Sequence, residues 1–215
     1  MVAVSPPEPE VEEVEEVGRP SRAYPLLLII CGSLGFIASM ALTIERFHLL
    51  QNPEAKLSCD INPFIACGPV MTSAAGSLFG FPNPLIGIAG FAVVITIGAA
   101  LLARARFANW FLIGFAVGTL LAGVFITWLQ SQTLYVIGKL CPWCMLVWAV
   151  TIPVVVGTVI RALTAGALGA RARAVGERLA AFQLSIVAIW YLVVIAAVGL
   201  RFYRDFALYW FQVAL

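Results

Sequence analysis

Apolar residues in this chain gather in five long runs, separated by short polar stretches and one longer loop. The runs cover roughly Ala23–Ile44, Leu85–Ala103, Trp110–Leu129, Cys141–Ile160 and Ala180–Leu200. Each approaches the length of about 20 residues that a helix needs to cross bilayer hydrocarbon. Their interiors carry essentially no formal charge, so none reads as an ion or proton pathway. Gly and Pro within them suit close helix packing in lipid. The pattern predicts an all-α integral membrane protein with five transmembrane helices. The flanks read differently. The acidic, proline-flanked run Glu8–Glu16 makes residues 1–22 a solvated, disordered tail, the opposite of the cationic start of a secretory signal. Residues 201–215 mix Arg, Tyr, Phe and Trp, which suits an interfacial aromatic tail better than a sixth span.

Composition agrees with this pattern. Hydrophobic residues make up 62% of the chain and charged residues 11%, with a mean hydropathy of +0.99. Soluble domains are about half apolar and about a quarter charged. A net charge of +2 without a basic stripe argues against a nucleic-acid partner. The cations do set an orientation. Eight of them (Arg19, Arg22, Arg104, Arg106, Arg161, Arg171, Arg173 and Arg178) fall on one side of the five spans. Arg46, Lys56, Lys139, Arg201 and Arg204 fall on the other. The richer side is expected to be cytoplasmic. The N-terminus is then inside, and the C-terminus, the 46–84 loop and the Ser131–Leu140 turn are outside.

That orientation gives the cysteines a setting. Cys141-Pro-Trp-Cys144 heads the fourth apolar run, with its two thiols at i, i+3 on one helix face. Pro142 suits the first helical position, so Cys141 reads as the N-cap, where free N–H groups and the helix dipole favour a thiolate. Cys144 sits one turn deeper, toward hydrocarbon. Cys59 and Cys67 lie in the long loop among Pro53, Pro63, Pro69 and Pro82, a loop expected to move and to reach both a passing protein and Cys141. Four thiols on the oxidising side of a membrane point to electron transfer by thiol–disulfide exchange. Other readings remain open at this point. The four cysteines could hold zinc, form two inert structural disulfides in a purely structural protein, or belong to a carrier passing reducing equivalents outward. The carrier would need a cysteine pair near the cytoplasmic face, where only Cys31 stands, and Cys31 reads as a small apolar core residue. His48, the single histidine, reads as interfacial.

The segment Cys59–Asn83 (CDINPFIACGPVMTSAAGSLFGFPN) and the Cys-Pro-Trp-Cys run resemble the vitamin K epoxide reductase family, most closely its bacterial, actinobacterial-like homologues. The resemblance covers about Leu26–Ile160. It implies a four-helix catalytic bundle over 23–160 around a quinone, and the hydrophobic pattern adds a cytoplasmic loop and a fifth transmembrane helix over 161–200. It implies a quinone-dependent thiol oxidoreductase of the cell membrane that reoxidises a secreted thioredoxin-fold partner. By the same resemblance Cys59 and Cys67 are the shuttle pair facing that partner, Cys141 exchanges with Cys67, and Cys144 faces the quinone, with menaquinone the expected species. Ser73 matches a serine at the site's rim, Asn83 an asparagine that hydrogen-bonds a quinone carbonyl, and Asp60 an acid after the first loop cysteine. Phe79 and Phe81 are candidates to close the site from above. Animal relatives carry a tyrosine where this chain has Trp148. An indole N–H donates but cannot act as the phenol's acid, so quinone reduction is expected rather than epoxide reduction. The chain stops at Leu215 without room for a fused thioredoxin domain, so a separate partner protein is expected.

Overall fold

A computed structural model describes residues 22–166 and 168–211, with side chains through Ala207. The acidic run Glu8–Glu16 and residues 212–215 lie outside the described residues. The described residues form seven α-helices in order: α1 Ala23–Gln51, α2 Gly68–Thr72, α3 Pro84–Leu102, α4 Asn109–Ser131, α5 Pro142–Thr164, α6 Ala170–Ala181 and α7 Gln183–Phe211. A 3₁₀ turn occupies Ala74–Ser77 and a π-helical turn Gln132–Ile137. Among the described residues there is no strand, only two isolated β-bridges. Five helices (α1, α3, α4, α5 and α7) are long and apolar enough to cross a membrane, as the hydrophobic pattern predicts.

α1, α3, α4 and α5 form the bundle. α1 packs on α3 and α5, and α4 packs on α5. The α1–α3 seam is close because small residues line it. A Cβ on Gly35 would fall 2.4 Å from the Phe91 ring, and one on Gly87 would fall 2.3 Å from Ser39 Oγ. Removing side-chain bulk is how helices approach in lipid, where no hydrophobic drive separates protein from solvent. α5 is the central element, with most of its length from Trp148 to Ala162 buried.

α5 carries Pro153 in its interior. Proline has no N–H, so the carbonyl four residues earlier loses its helical partner. That carbonyl belongs to Ala149, and the Tyr191 hydroxyl of α7 donates to it at 2.5 Å. A proline break in α5 thus becomes a docking point for α7.

Several boundaries differ from those expected. α1 continues to Gln51, seven residues past Ile44, because a helix need not stop where its sequence turns polar. The expected Ser131–Leu140 turn is helical as far as Ile137 and ends at Gly138, whose φ of +66° reverses the chain. α6 is a helix with no apolar run to announce it, held against α5 where Gly176 meets Leu163 and Thr164. α7 runs through Leu200 to Phe211 without a break.

Candidate active site

The loop between α1 and α3 is where the site is built. Its fold begins with Asn62, whose Oδ1 accepts from Ile65 N at 2.7 Å and Phe64 N at 3.1 Å, closing an Asx turn over Pro63. The turn presents Ile65 to the strand-like residue Leu140. Ala66 N donates to Leu140 O at 2.9 Å and Leu140 N to Phe64 O at 2.8 Å, and Lys139 Nζ donates to Pro63 O. This parallel bridge fixes two neighbours at once. Cys67 follows Ile65 by two residues, Cys141 follows Leu140 by one, and their sulfurs lie 3.2 Å apart.

Asp60 holds the other side of the loop. Its Oδ1 accepts from Cys67 N at 2.9 Å and Gly68 N at 3.4 Å, and its Oδ2 from Leu57 N at 3.4 Å. The carboxylate therefore satisfies the first N–H groups of α2, which Cys67 caps. Ser58 donates through both its N–H and its hydroxyl to Glu45 at the end of α1.

Within this frame Cys59 and Cys67 are joined by a disulfide, and Cys31, Cys141 and Cys144 are free thiols. The loop is closed in this structure, not the open segment expected from its prolines. Cys59 is 4% exposed, Cys67 and Cys141 are 0%, and all three pack with Leu42, Leu57, Val70 and Met71. Cys141 therefore does not face water, because the loop covers it.

Cys141 is the N-cap of α5, with Pro142 at the first helical position. Its sulfur accepts from Cys144 N at 3.4 Å. The hydrogen bond from the Cys144 thiol is the main cause that lowers the Cys141 pKa below its ordinary value, helped by the N–H groups of Cys144 and Trp143. Burial and the nearby Asp60 carboxylate oppose that shift without overcoming it. The residue poised against Cys67 is thus the one inclined to be a thiolate.

Cys144, one turn on, lines a cavity of about 610 Å³ inside the bundle. Its walls are almost wholly apolar, from α1, α3, α4 and α5, under a roof made by α2 and the 3₁₀ turn. Asn83, Ser73, Phe79 and Trp148 share this wall with Cys144. Asn83 is buried and spends Oδ1 on Leu78 N and one Nδ2 hydrogen on Ala75 O, at 3.2 and 2.6 Å. The second Nδ2 hydrogen is left for a ligand. The Ser73 hydroxyl donates to Val70 O and accepts from Gly76 N, so its proton is used in holding the roof. The Phe79 ring reaches across to Phe125 of α4 at 5.9 Å, closing the roof onto the bundle.

Two expected cavity residues stand elsewhere. Phe81 does not line the cavity but stacks on the outer face of Phe79 at 6.3 Å. Asp60 does not reach the cavity because its oxygens are spent on the loop backbone. Arg46 was missed. It is the one cation among the described residues lining the cavity, and its buried Nε has no acceptor. A cation just past the predicted end of the first span was the signal that could have marked it.

The cavity fits a quinone. Its volume and apolar walls suit a lipid-soluble ring, the free Asn83 N–H and the Trp148 indole suit carbonyl oxygens, and a thiol stands beside them. The disulfide pair, by contrast, offers no thiolate to a metal.

The vitamin K epoxide reductase family model matches residues 26–159, more than half of the chain. A search of curated proteins found no match.

Proposed function

The chain belongs to the vitamin K epoxide reductase family, whose members are membrane oxidoreductases linked to thiols and quinones, and from that premise we propose a specific direction and path. The protein takes two electrons from a thioredoxin-fold dithiol partner on the outer face of the cell membrane and delivers them to a quinone, with menaquinone the expected species. Plain quinone reduction, rather than epoxide reduction, suits Trp148 on the cavity wall. The observation that carries the reading is the 3.2 Å approach of Cys141 to Cys67, with Cys144 one turn on at the cavity.

The exchange steps balance as follows. A partner thiolate attacks the Cys59–Cys67 disulfide at Cys59, and the partner's second thiol resolves the mixed disulfide, leaving Cys59 and Cys67 as thiols. Both sulfurs are covered, so this step requires the loop to lift. Cys67 as a thiolate then attacks Cys141 in a Cys141–Cys144 disulfide. The Cys67–Cys141 bond forms, the Cys141–Cys144 bond breaks, and Cys144 leaves and takes a proton. Cys59 attacks Cys67, reforms the loop disulfide and releases Cys141, whose lowered pKa makes it a good leaving group. The Cys141/Cys144 pair now holds two electrons and its protons at the cavity wall. A bound quinone would supply the acceptor for two electrons and two protons, with Asn83 and Trp148 holding its oxygens.

The test uses the purified protein with a reduced thioredoxin-fold dithiol and a water-dispersible quinone. Cys144→Ala is expected to abolish quinone reduction and, before the dithiol is added, to form a Cys67–Cys141 disulfide as Cys141 attacks Cys67 and Cys59 leaves as a thiol, identified by peptide mapping after alkylation. Normal turnover in that variant would overturn the path.

A further inference from the structure

The bridge that aligns Cys67 with Cys141 is backed by a helix outside the residues that match the family. α7 is otherwise poorly buried, and no residue of its most apolar stretch is buried. Its outer end is different. Phe202 is 1% exposed, the largest fully buried side chain described in the protein, and it packs with Phe64, Leu134 and Leu140. Phe206 adds an edge-to-face contact with the Phe64 ring at 4.9 Å. Leu140 is one of the bridged pair, and Phe64, next to its partner Ile65, accepts one of the bridge's two hydrogen bonds, from Leu140 N at 2.8 Å. One residue beyond Leu140 is Cys141.

We propose that α7 is a strut for the relay, and that Phe202 is a positioning residue for exchange between Cys67 and Cys141. It touches neither sulfur. It presses the two bridge segments together from behind, so that the loop cysteine meets its partner without a search. Tyr191, donating to Ala149 O, ties the first third of the strut to α5 and leaves its outer end to bear on the bridge. This inference rests on the exchange path above, and an error in reacting-atom placement of about 1 Å can cost on the order of a hundredfold in rate.

The experiment measures formation of the Cys67–Cys141 disulfide in the Cys144→Ala background, where Cys141 attacks Cys67 and Cys59 leaves as a thiol. Phe202→Ala is expected to slow it about tenfold or more, with quinone affinity unchanged in the protein that retains Cys144. Phe202→Leu, which refills the space, is expected to restore most of the rate. Leu192→Ala, on the exposed face of the same helix, controls for loss of the helix itself. Equal rates in Phe202→Ala and its parent would overturn the strut and leave the path standing. No Cys67–Cys141 disulfide in the parent would overturn the path itself. If Phe202→Ala fails to fold, Phe206→Ala, which removes the edge-to-face contact with Phe64, carries the comparison: slowed exchange supports the strut and unchanged exchange would overturn it.

Discussion

The two sides of Cys141 are built on opposite plans. Toward Cys67, backbone hydrogen bonds, an Asx turn and the Asp60 carboxylate fix a contact between residues 74 positions apart. Toward the cavity, the walls are almost wholly apolar side chains that specify volume, with Arg46, Ser73, Asn83, Trp148 and Cys144 among the sparse polar marks. On the proposed path, the difference reflects what each side would handle. Thiol–disulfide exchange depends on sulfur meeting sulfur along one line, so the junction spends its order on position. A lipid-soluble ring arrives by diffusion and binds mostly through buried apolar area, so the cavity needs shape and one or two donors.

Substitutions on each side should therefore fail in different ways. Cys141→Ser should have the largest effect, lowering transfer from the loop pair to quinone by about a thousandfold or more, since relay members act as a unit. Quinone affinity in that variant, followed by quenching of Trp fluorescence, should match the unaltered protein. A matching loss of affinity would mean that junction and cavity are one site rather than two. Asn83→Leu should do the reverse. It removes the free N–H and the hydrogen bonds to Leu78 N and Ala75 O, each worth about 0.5–1.5 kcal/mol. Quinone KM should rise by about tenfold to a hundredfold and the melting temperature should fall. In the Cys144→Ala background, formation of the Cys67–Cys141 disulfide should stay within a factor of about three of the parent, by the independence of distant sites. Slowed exchange there would break the separation.

The smallest effect sharpens the junction alone. The Cys141 pKa is lowered chiefly by the Cys144 hydrogen bond, while Asp60 pushes it up. A negative charge nearby disfavours a thiolate, so its removal favours one. Asp60→Asn should therefore move the Cys141 titration, followed by thiolate ultraviolet absorbance, to lower pH. An amide oxygen can still accept from Cys67 N, so the loop should stay closed and turnover should fall less than about tenfold. A titration moved to higher pH would show that Asp60 acts through the loop's geometry rather than its charge.

How much of this was legible in the sequence follows the same division. The five spans were readable because lipid demands about 20 apolar residues whatever the fold. Their ends were less so. Hydropathy reports depth in the membrane, and α1 runs on past Ile44 through Glu45 and His48 to Gln51. α6, rich in Ala and Arg, has no apolar run to betray it. At the site, Cys141 as an N-cap followed from Pro142, and Cys144, Asn83, Ser73, Phe79 and Trp148 do share one wall. The sequence could not say that Asp60 would turn to the loop backbone, or that Phe81 would lie outside Phe79. Those positions depend on a fold joining residues far apart. Nor could it say that Cys59 and Cys67 would be buried, since prolines promise a turn without saying what packs on it. Phe202 was hidden for a related reason. A segment mixing aromatics with cations looks interfacial as a whole, and composition does not tell which ring goes inside.

Pro153 has a consequence for biogenesis. When α5 enters the membrane, the Ala149 carbonyl has no helical donor, and such a group in hydrocarbon costs several kcal/mol until something meets it. Its donor, Tyr191, is synthesised 42 residues later. The four-helix bundle therefore passes through an interval in which its central helix is polar and incomplete, and the arrival of α7 ends that interval. α7 thus completes the hydrogen bonding of the bundle's central helix. Without α7, the Ala149 carbonyl would stand open on the face of α5 that α7 covers.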